Sequence, residues 1–392
     1  MHHSLHLRNI SRLPWTLRRK AIEAANGSLD SFTALCVASL EMPNEQHLLL
    51  LPVFYAALDV SDMPGIDEID PQTFPFFSLN RIFIAVEALR KIPVIHPIAL
   101  DDLWPRIWAC IQLLQAAQKH TEDMLSADVT RISFFRTIEI FQDPEREGPI
   151  DTTDGVWILV GEAWEAILQR EEVLCDDALY KLSRFIARAA FTPSNVEELI
   201  RGAGGPTQLA SLIIQHLKLS IVDMEESIHL FSMIRLLIRA DGVSPSLRSA
   251  LLGCGVISVM TDAVSTLGSG TEELTGVKRY ELLNHALCML MGTMTGATGS
   301  IYPWILQSFR AGLLQVLMDI TCRFSEPGVV QPLGRFLTKL LPSAMVDLAL
   351  LTQAFESRVD LGVAMYSAAL KTPRSPRCGN CFWNSSTSAL EY

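Results

Sequence analysis

The segment GPTQLASLIIQHL, residues 205–217, contains the pattern that decides the fold. It begins with a glycine and carries apolar residues four, eight and twelve places later, at Leu209, Ile213 and Leu217. Apolar residues at this spacing lie on one face of an α-helix. The same pattern recurs in three further segments: GVWILVGEAWEAIL from Gly155, GVISVMTDAVSTL from Gly255 and GLLQVLMDITCRF from Gly312.

The spacing of these segments indicates an internal repeat. The four glycines are 50, 50 and 57 residues apart, and each follows an apolar helical stretch. Because glycine adopts left-handed conformations at little cost, the pattern predicts a tight turn between two helices. One amphipathic helix cannot bury its apolar face alone, so neighbouring repeats must stack. We therefore predict an all-α fold of stacked helical hairpins resembling armadillo or HEAT repeats, with an irregular helical bundle as the alternative.

The repeat also suggests a division of the chain. We predict an N-terminal helical region over residues 1–145, armadillo-like helical repeats over residues 146–370, and a polar tail over residues 371–392.

Composition limits the classes of function. The 392 residues are 49% hydrophobic and 19% charged, with a net charge of −11. This charge argues against nucleic-acid binding. The segment from Glu139 to Asp177 contains twelve acidic and two basic residues. This excess of negative charge fits either a solvated surface or a contact surface for a basic partner. We expect protein partners, no nucleic acid and no membrane.

Six of the eight cysteines lie far apart, mostly in apolar helical stretches, which is typical of buried thiols in a reducing compartment. We expect an intracellular protein, cytoplasmic or nuclear. The six are Cys36, Cys110, Cys175, Cys254, Cys288 and Cys322.

No motif predicts catalysis. RGAGGP, residues 201–206, lacks the lysine of a phosphate-binding loop and is interpreted as a turn. His216, His229 and His285 lie apart in apolar helices and are interpreted as core or surface residues. We therefore predict no catalytic or cofactor-binding residues and a scaffold or adaptor function. The alternative is an enzyme whose active site is assembled from helices without a recognisable motif.

Near the end of the chain, Cys378 and Cys381 form a C-x-x-C pair in the segment PRCGNCFWNSSTSALEY, residues 376–392. Such a pair is compatible with half of a zinc site, a redox pair or a chance occurrence. A redox pair usually lies at a helix N-terminus after a strand, and the polar context here does not predict one, so zinc is the better interpretation.

Five stretches of the chain carry a family resemblance: LHLRNISRLPWTLRRKAIEAANGS (5–28), LDDLWPRIW (100–108), GVWILVGEAW (155–164), NVEELIRGAGGPTQLASLIIQHL (195–217) and PRCGNCFW (376–383). In this order they resemble a family of proteins from mushroom-forming fungi that carry a C-terminal MYND-type zinc finger. The resemblance implies, for full-length relatives, a protein-interaction finger that binds zinc through four pairs of ligands.

This chain carries only the first ligand pair of such a finger, as Cys378 and Cys381, and it stops about where the second would follow. The resemblance thus implies zinc in full-length relatives and a half site here. We expect no stably bound zinc in this chain.

Overall fold

The computed structural model describes residues 1–39, 42–61, 76–89, 92, 95–118, 126–142, 148–169, 174–189, 191–222, 227–241, 243–269, 276–295, 302–323, 327–340, 342 and 352. The secondary structure of these residues is helical, and they contain no strand. The predicted all-α fold is therefore confirmed. The class of helical repeat, armadillo or HEAT, stays a prediction.

The chain forms two compact units, Met1–Gly205 (unit 1) and Pro206–Tyr392 (unit 2). The division predicted from the repeat, at residues 145 and 370, rests on sequence pattern rather than on compactness, and it stays a prediction. Its third region, residues 371–392, lies outside the described residues.

Unit 1 begins with two short 3₁₀ helices, His3–Leu5 and Leu7–Arg12. Its described α-helices are α1 (Trp15–Ala25), α2 (Leu29–Ser39), α3 (Asn44–His47), α4 (Leu51–Ala57), α5 (Phe76–Leu89), α6 (Pro97–Gln118), α7 (Ala127–Ile140), α8 (Val156–Gln169), α9 (Leu174–Arg188) and α10 (Pro193–Gly202).

Unit 2 continues with α11 (Pro206–Val222), α12 (Ser227–Asp241), α13 (Pro245–Gly253), α14 (Val256–Ser269), α15 (Gly276–Thr295), α16 (Tyr302–Arg310), α17 (Leu313–Arg323) and α18 (Pro327–Arg335). A single π-helical turn, Phe336–Leu340, follows α18.

The four repeat glycines form the tight turns that the sequence predicts. The φ angles are 88° at Gly155, 128° at Gly205, 89° at Gly255 and 86° at Gly312. An L side chain rarely adopts this left-handed conformation. Helices α8, α11, α14 and α17 each begin at the residue after one of these glycines. The predicted turn between two α-helices is confirmed at Gly205, Gly255 and Gly312, whereas the turn at Gly155 leads from a short 3₁₀ helix, Pro149–Thr152, into α8.

The apolar stripe that follows each glycine is buried, as predicted. Its last member, Phe324, lies outside the described residues. The buried members are Leu159, Ala163, Ile167, Leu209, Ile213, Leu217, Val259, Ala263, Leu267, Val316 and Ile320.

The helices of unit 2 follow each other in a recurring order. A short helix, a glycine turn and two further helices occur as α13–α14–α15 and again as α16–α17–α18. Proline starts the short helix at Pro245, and the Ser244 hydroxyl accepts the backbone N–H of Leu247 at 3.4 Å. Helices α11, α14 and α17 pack in succession, and so do α12, α15 and α18. Helices in equivalent positions are therefore neighbours, as a stacked repeat requires.

In unit 1, helices α8 and α10 make a very close crossing. A Cβ atom at Gly161 of α8 would lie 2.7 Å from the backbone nitrogen of Ala203, and a Cβ atom at Gly202 of α10 would approach the α8 backbone more closely still. The buried carboxylate of Glu198 also accepts the backbone N–H of Gly155, with its two oxygens at 2.9 and 3.0 Å. This contact satisfies a donor at the start of α8 and fixes α8 to α10.

Candidate protein-interaction surface

Three helices of unit 2 that pack side by side leave exposed and half-buried side chains along one face of each helix. On α12 these side chains recur at helical spacing between buried leucines, isoleucine and methionine. The set on the three helices, here named the α12–α15–α18 face, consists of Phe231, Arg235, Ile238, Arg239, Asn284, His285, Cys288, Val330, Gln331 and Arg335.

Contacts between the helices make this face continuous. The ring of Phe231 on α12 meets the ring of His285 on α15 edge-on, with their centroids 6.3 Å apart. On α15, the Cys288 thiol donates to the Asn284 side-chain oxygen at 3.7 Å. Burial raises the pKa of the Cys288 thiol, and the charge of Arg335 on α18 partly offsets this rise. The surface therefore extends across all three helices.

The face carries positive charge in a strongly acidic chain. Arg235 and Arg239 lie one helical turn apart, where like charges repel. Burial lowers the pKa of Arg235, and the charge of Arg239 lowers it further. Among the described side chains of α12, α15 and α18, Glu281 is the one carboxylate. An anionic group at this face would relieve the repulsion.

Two of the arginines on this face have guanidinium groups that are available to bind a partner. Within the described part of the chain, neither Arg235 nor Arg335 forms an ion pair or a side-chain hydrogen bond. Both guanidinium groups present several N–H donors in a fixed plane, which suits a carboxylate. They are therefore the best candidates for direct contact with a partner.

The exposed surface of α11, α14 and α17 has a different chemistry. It mixes amides with both signs of charge, as in Lys218, Asp262 and Asp319. Burial raises the pKa of Asp262, and the nearby charge of Lys218 partly offsets this rise. This balanced surface does not favour one charge of partner and serves as an internal comparison.

Two of the three histidines singled out from the sequence meet inside unit 2. His216 of α11 and His229 of α12 are both buried, with Nε2 of His216 3.4 Å from Nδ1 of His229. Burial lowers the pKa of His216 to about 3, and the His229 ring lowers it further. His285 is exposed on α15. The first two are thus core residues and the third a surface residue, as the sequence allows.

The acidic stretch from Glu139 to Asp177 is partly engaged within unit 1. Asp177 pairs with Arg136 at 3.1 Å and with Lys181 at 3.2 Å. Burial raises the pKa of Glu139, while Lys181 and two arginines of α9 oppose the rise. These carboxylates contribute to the packing of α7 against α9. The suggestion that the whole stretch receives a basic partner stays a prediction.

The predicted half site, Cys378 and Cys381, lies outside the described residues, so its geometry is not tested. Within the described ranges, no three or more histidine, cysteine, aspartate or glutamate side chains are placed to hold a metal ion.

No single helix of the described chain is long and apolar enough to cross a membrane. By length and composition, α13 and α14 would qualify only as a pair, and they are bent by 73° at their junction.

Comparisons with protein-family models, with curated proteins and with solved structures gave no match. The resemblance to the fungal MYND-type family therefore stays a prediction, and the case for a function rests on the geometry of this chain.

Neither Arg235 nor Arg335 is among the residues predicted from the sequence. A signal for the first was present, since MIRLLIRAD, residues 233–241, places two arginines four residues apart in an apolar helix. No comparable signal exists for Arg335, because its position beside α15 depends on how the helices stack.

Proposed function

We propose that the chain is a non-catalytic scaffold or adaptor with an armadillo-like helical-repeat body, and that the α12–α15–α18 face binds an acidic segment of a partner protein. One observation carries this proposal. Arg235 and Arg335 lie on one continuous surface of unit 2, and within the described residues neither side chain forms an ion pair or a hydrogen bond. The partner acts inside the cell, in the cytoplasm or nucleus. The wide separation of six cysteines in apolar stretches of the sequence supports this location.

The face also offers apolar anchors between its charges. Ile238 and Val330 are both large apolar residues with 43% and 47% of their surface exposed. Phe231 and His285 add ring surface between them. Interfaces of this kind combine apolar anchors at the centre with charges that select the partner. The expected partner segment therefore alternates carboxylates with apolar side chains.

The alternative from the sequence is an enzyme with an active site assembled from helices. Cys288 would be the natural nucleophile on this face, but its thiol pKa is raised, whereas a reactive cysteine needs a lowered one. This observation favours binding over catalysis at the α12–α15–α18 face.

A photocrosslinking group tests the location of the partner. We expect p-benzoylphenylalanine at position 238 to crosslink a partner in cells, and the same group at position 219 to do so much less. Ile238 and Leu219 are 43% and 45% exposed, so the two positions differ in place rather than in accessibility. Mass spectrometry of the crosslinked product identifies the partner for purification. Equal yields at the two positions would contradict the proposed surface.

The purified partner then allows a direct binding measurement. Removing the charges of Arg235 and Arg335 together by substitution with glutamine should weaken binding about tenfold or more, because charge-assisted hydrogen bonds are lost. The matched control is Lys218→Gln with Arg310→Gln, which removes two exposed charges from α11 and α16 of the same unit. A similar loss in both double variants would indicate general electrostatic attraction and would refute a specific site.

A separate prediction concerns zinc. We expect the purified 392-residue chain to retain no zinc after dialysis, since Cys378 and Cys381 supply two thiolates and a structural site needs four ligands. Elemental analysis measures the stoichiometry. One zinc per monomer that disappears in Cys378→Ser but not in Cys322→Ser would show that the prediction is wrong. One zinc per dimer would indicate a site shared between two chains.

A further inference from the structure

A cavity of about 610 Å³ opens in unit 1 between the N-terminal 3₁₀ helices and α4. This volume lies within the usual range for small-molecule sites, roughly 300–1,000 Å³. Leu5, Leu7, Pro52 and Ala56 form much of its apolar wall. The cavity belongs to unit 1, whereas the surface proposed for the partner belongs to unit 2.

A guanidinium group is held rigidly at the cavity wall. Arg106 of α6 lies over the ring of Tyr55, with its central carbon 3.8 Å from the ring centroid. One of its Nη atoms donates to the backbone oxygen of Tyr55 at 2.7 Å, and the other pairs with Asp59 at 3.0 Å. These contacts fix the guanidinium before any ligand arrives, which lowers the entropy lost on binding.

The carboxylate of Asp59 is already bound by partners within the chain. The hydroxyl and the backbone N–H of Ser61 both donate to Asp59 and lower the pKa of its carboxyl, and Arg106 lowers it further. Asp59 and Arg106 therefore balance each other, and their pair leaves no net charge in the cavity.

The remaining polar groups of the lining determine the net charge of the cavity. Arg8 and His6 both line it, and within the described residues neither side chain forms an ion pair or a hydrogen bond. Arg8 is exposed and contributes a formal positive charge. An apolar wall beside a guanidinium group without an ion-pair partner suits a ligand with a hydrocarbon body and an anionic head.

We propose that this cavity binds a small amphiphilic organic anion, with its carboxylate or phosphate head at Arg8 and His6 and its apolar body against Leu5, Leu7 and Pro52. Arg106 stays paired with Asp59 at 3.0 Å and adds no net charge to the site. The site is independent of the proposed partner surface, so either can be wrong without affecting the other.

Isothermal titration of the full chain with octyl phosphate, octanoate and octyltrimethylammonium tests the proposal. We expect saturable binding of one octyl phosphate or octanoate per chain and none of the cation. Comparison of the two anions shows whether the site prefers a phosphate or a carboxylate head. Failure of both anions to bind, or equal binding of the cation, would overturn the proposal.

Two variants and a matched control locate the site. Arg8→Gln should weaken binding of the anions about tenfold, as expected for loss of a charge-assisted contact. Arg12→Gln removes an equally exposed charge from the same 3₁₀ helix but outside the cavity, and should leave the affinity unchanged. Ala56→Phe, which places a ring in the cavity, should abolish binding while the melting temperature shows whether the chain still folds.

Equal losses in Arg8→Gln and Arg12→Gln would mean that the anions bind the basic N-terminal surface in general, and the cavity proposal would fail. Undiminished binding by a folded Ala56→Phe chain would have the same consequence. Both outcomes are independent of any partner protein.

Discussion

Gly202→Ala should lower the free energy of unfolding of unit 1 by about 3 kcal/mol or more. A Cβ atom at this position would lie 2.7 Å from the backbone carbonyl carbon and Cα of Ile158 and closer still to the Ile158 oxygen. All three atoms belong to the backbone of α8, so no side-chain rotation can relieve the clash. The two helices must instead separate, which would weaken the contact between Glu198 and the start of α8.

Urea unfolding followed by tryptophan fluorescence measures this effect, because Trp157 and Trp164 are buried on α8 and report on unit 1. Gly161→Ala at the other side of the crossing should be similarly destabilising. The control is Gly292→Ala inside α15, where a Cβ atom meets nothing within 4 Å.

The control should be neutral or stabilising by up to about 1 kcal/mol, since alanine favours the helix. A chain with two compact units need not unfold in a single transition, so each transition is followed by a probe that belongs to that unit. A Gly202→Ala chain within about 1 kcal/mol of the wild type would show that the crossing is looser than the structure indicates.

The repeat was predictable because its signal is local. A glycine followed by an apolar residue every fourth place specifies both a left-handed turn and the buried side of the next helix. The structure confirms this at Gly155, Gly205, Gly255 and Gly312, with each φ angle in the left-handed region. Neither feature depends on which other helix lies opposite.

The crossing of α8 and α10 was not predictable in the same way. The sequence predicts a turn at RGAGGP, and Gly204 and Gly205 do adopt left-handed φ angles. Gly202, however, ends α10 and serves close packing against Ile158, more than forty residues earlier in the chain. A glycine inside a helix, such as Gly161, is a weak hint of close packing, but it does not name the opposing helix.

The α12–α15–α18 face shows the same limit. The apolar period identifies which side of each helix is buried. It does not show which exposed residues of different helices form a common surface, because that depends on which helices are neighbours. Arg235 and Arg335 are one hundred residues apart in sequence and share a surface only through the stacking of α12, α15 and α18. A single sequence carries no signal for that juxtaposition.

The stability of unit 2 should fall as the pH drops below about 6.5, because His216 is buried in its neutral form. Its ordinary pKa of 6.5 is lowered to about 3 in the folded chain, first by burial and then by His229. Between these two values the unfolded chain binds a proton that the folded chain excludes. By linkage, stability then decreases as pH falls, by about 2 kcal/mol between pH 7.5 and pH 5. The loss is complete only below the folded pKa.

Chemical denaturation at several pH values measures this dependence, and variants isolate its source. His216→Gln should remove most of the slope between pH 7.5 and 5, whereas His285→Gln, at an exposed position, should retain it. Comparing variants is necessary because Asp262, whose pKa burial raises, stabilises the folded chain as pH falls and so opposes the histidine. An unchanged slope in His216→Gln would assign the acid sensitivity to another group. A reduced slope there and in His229→Gln would place it in the histidine pair, since the His229 ring lowers the pKa of His216 across the 3.4 Å contact.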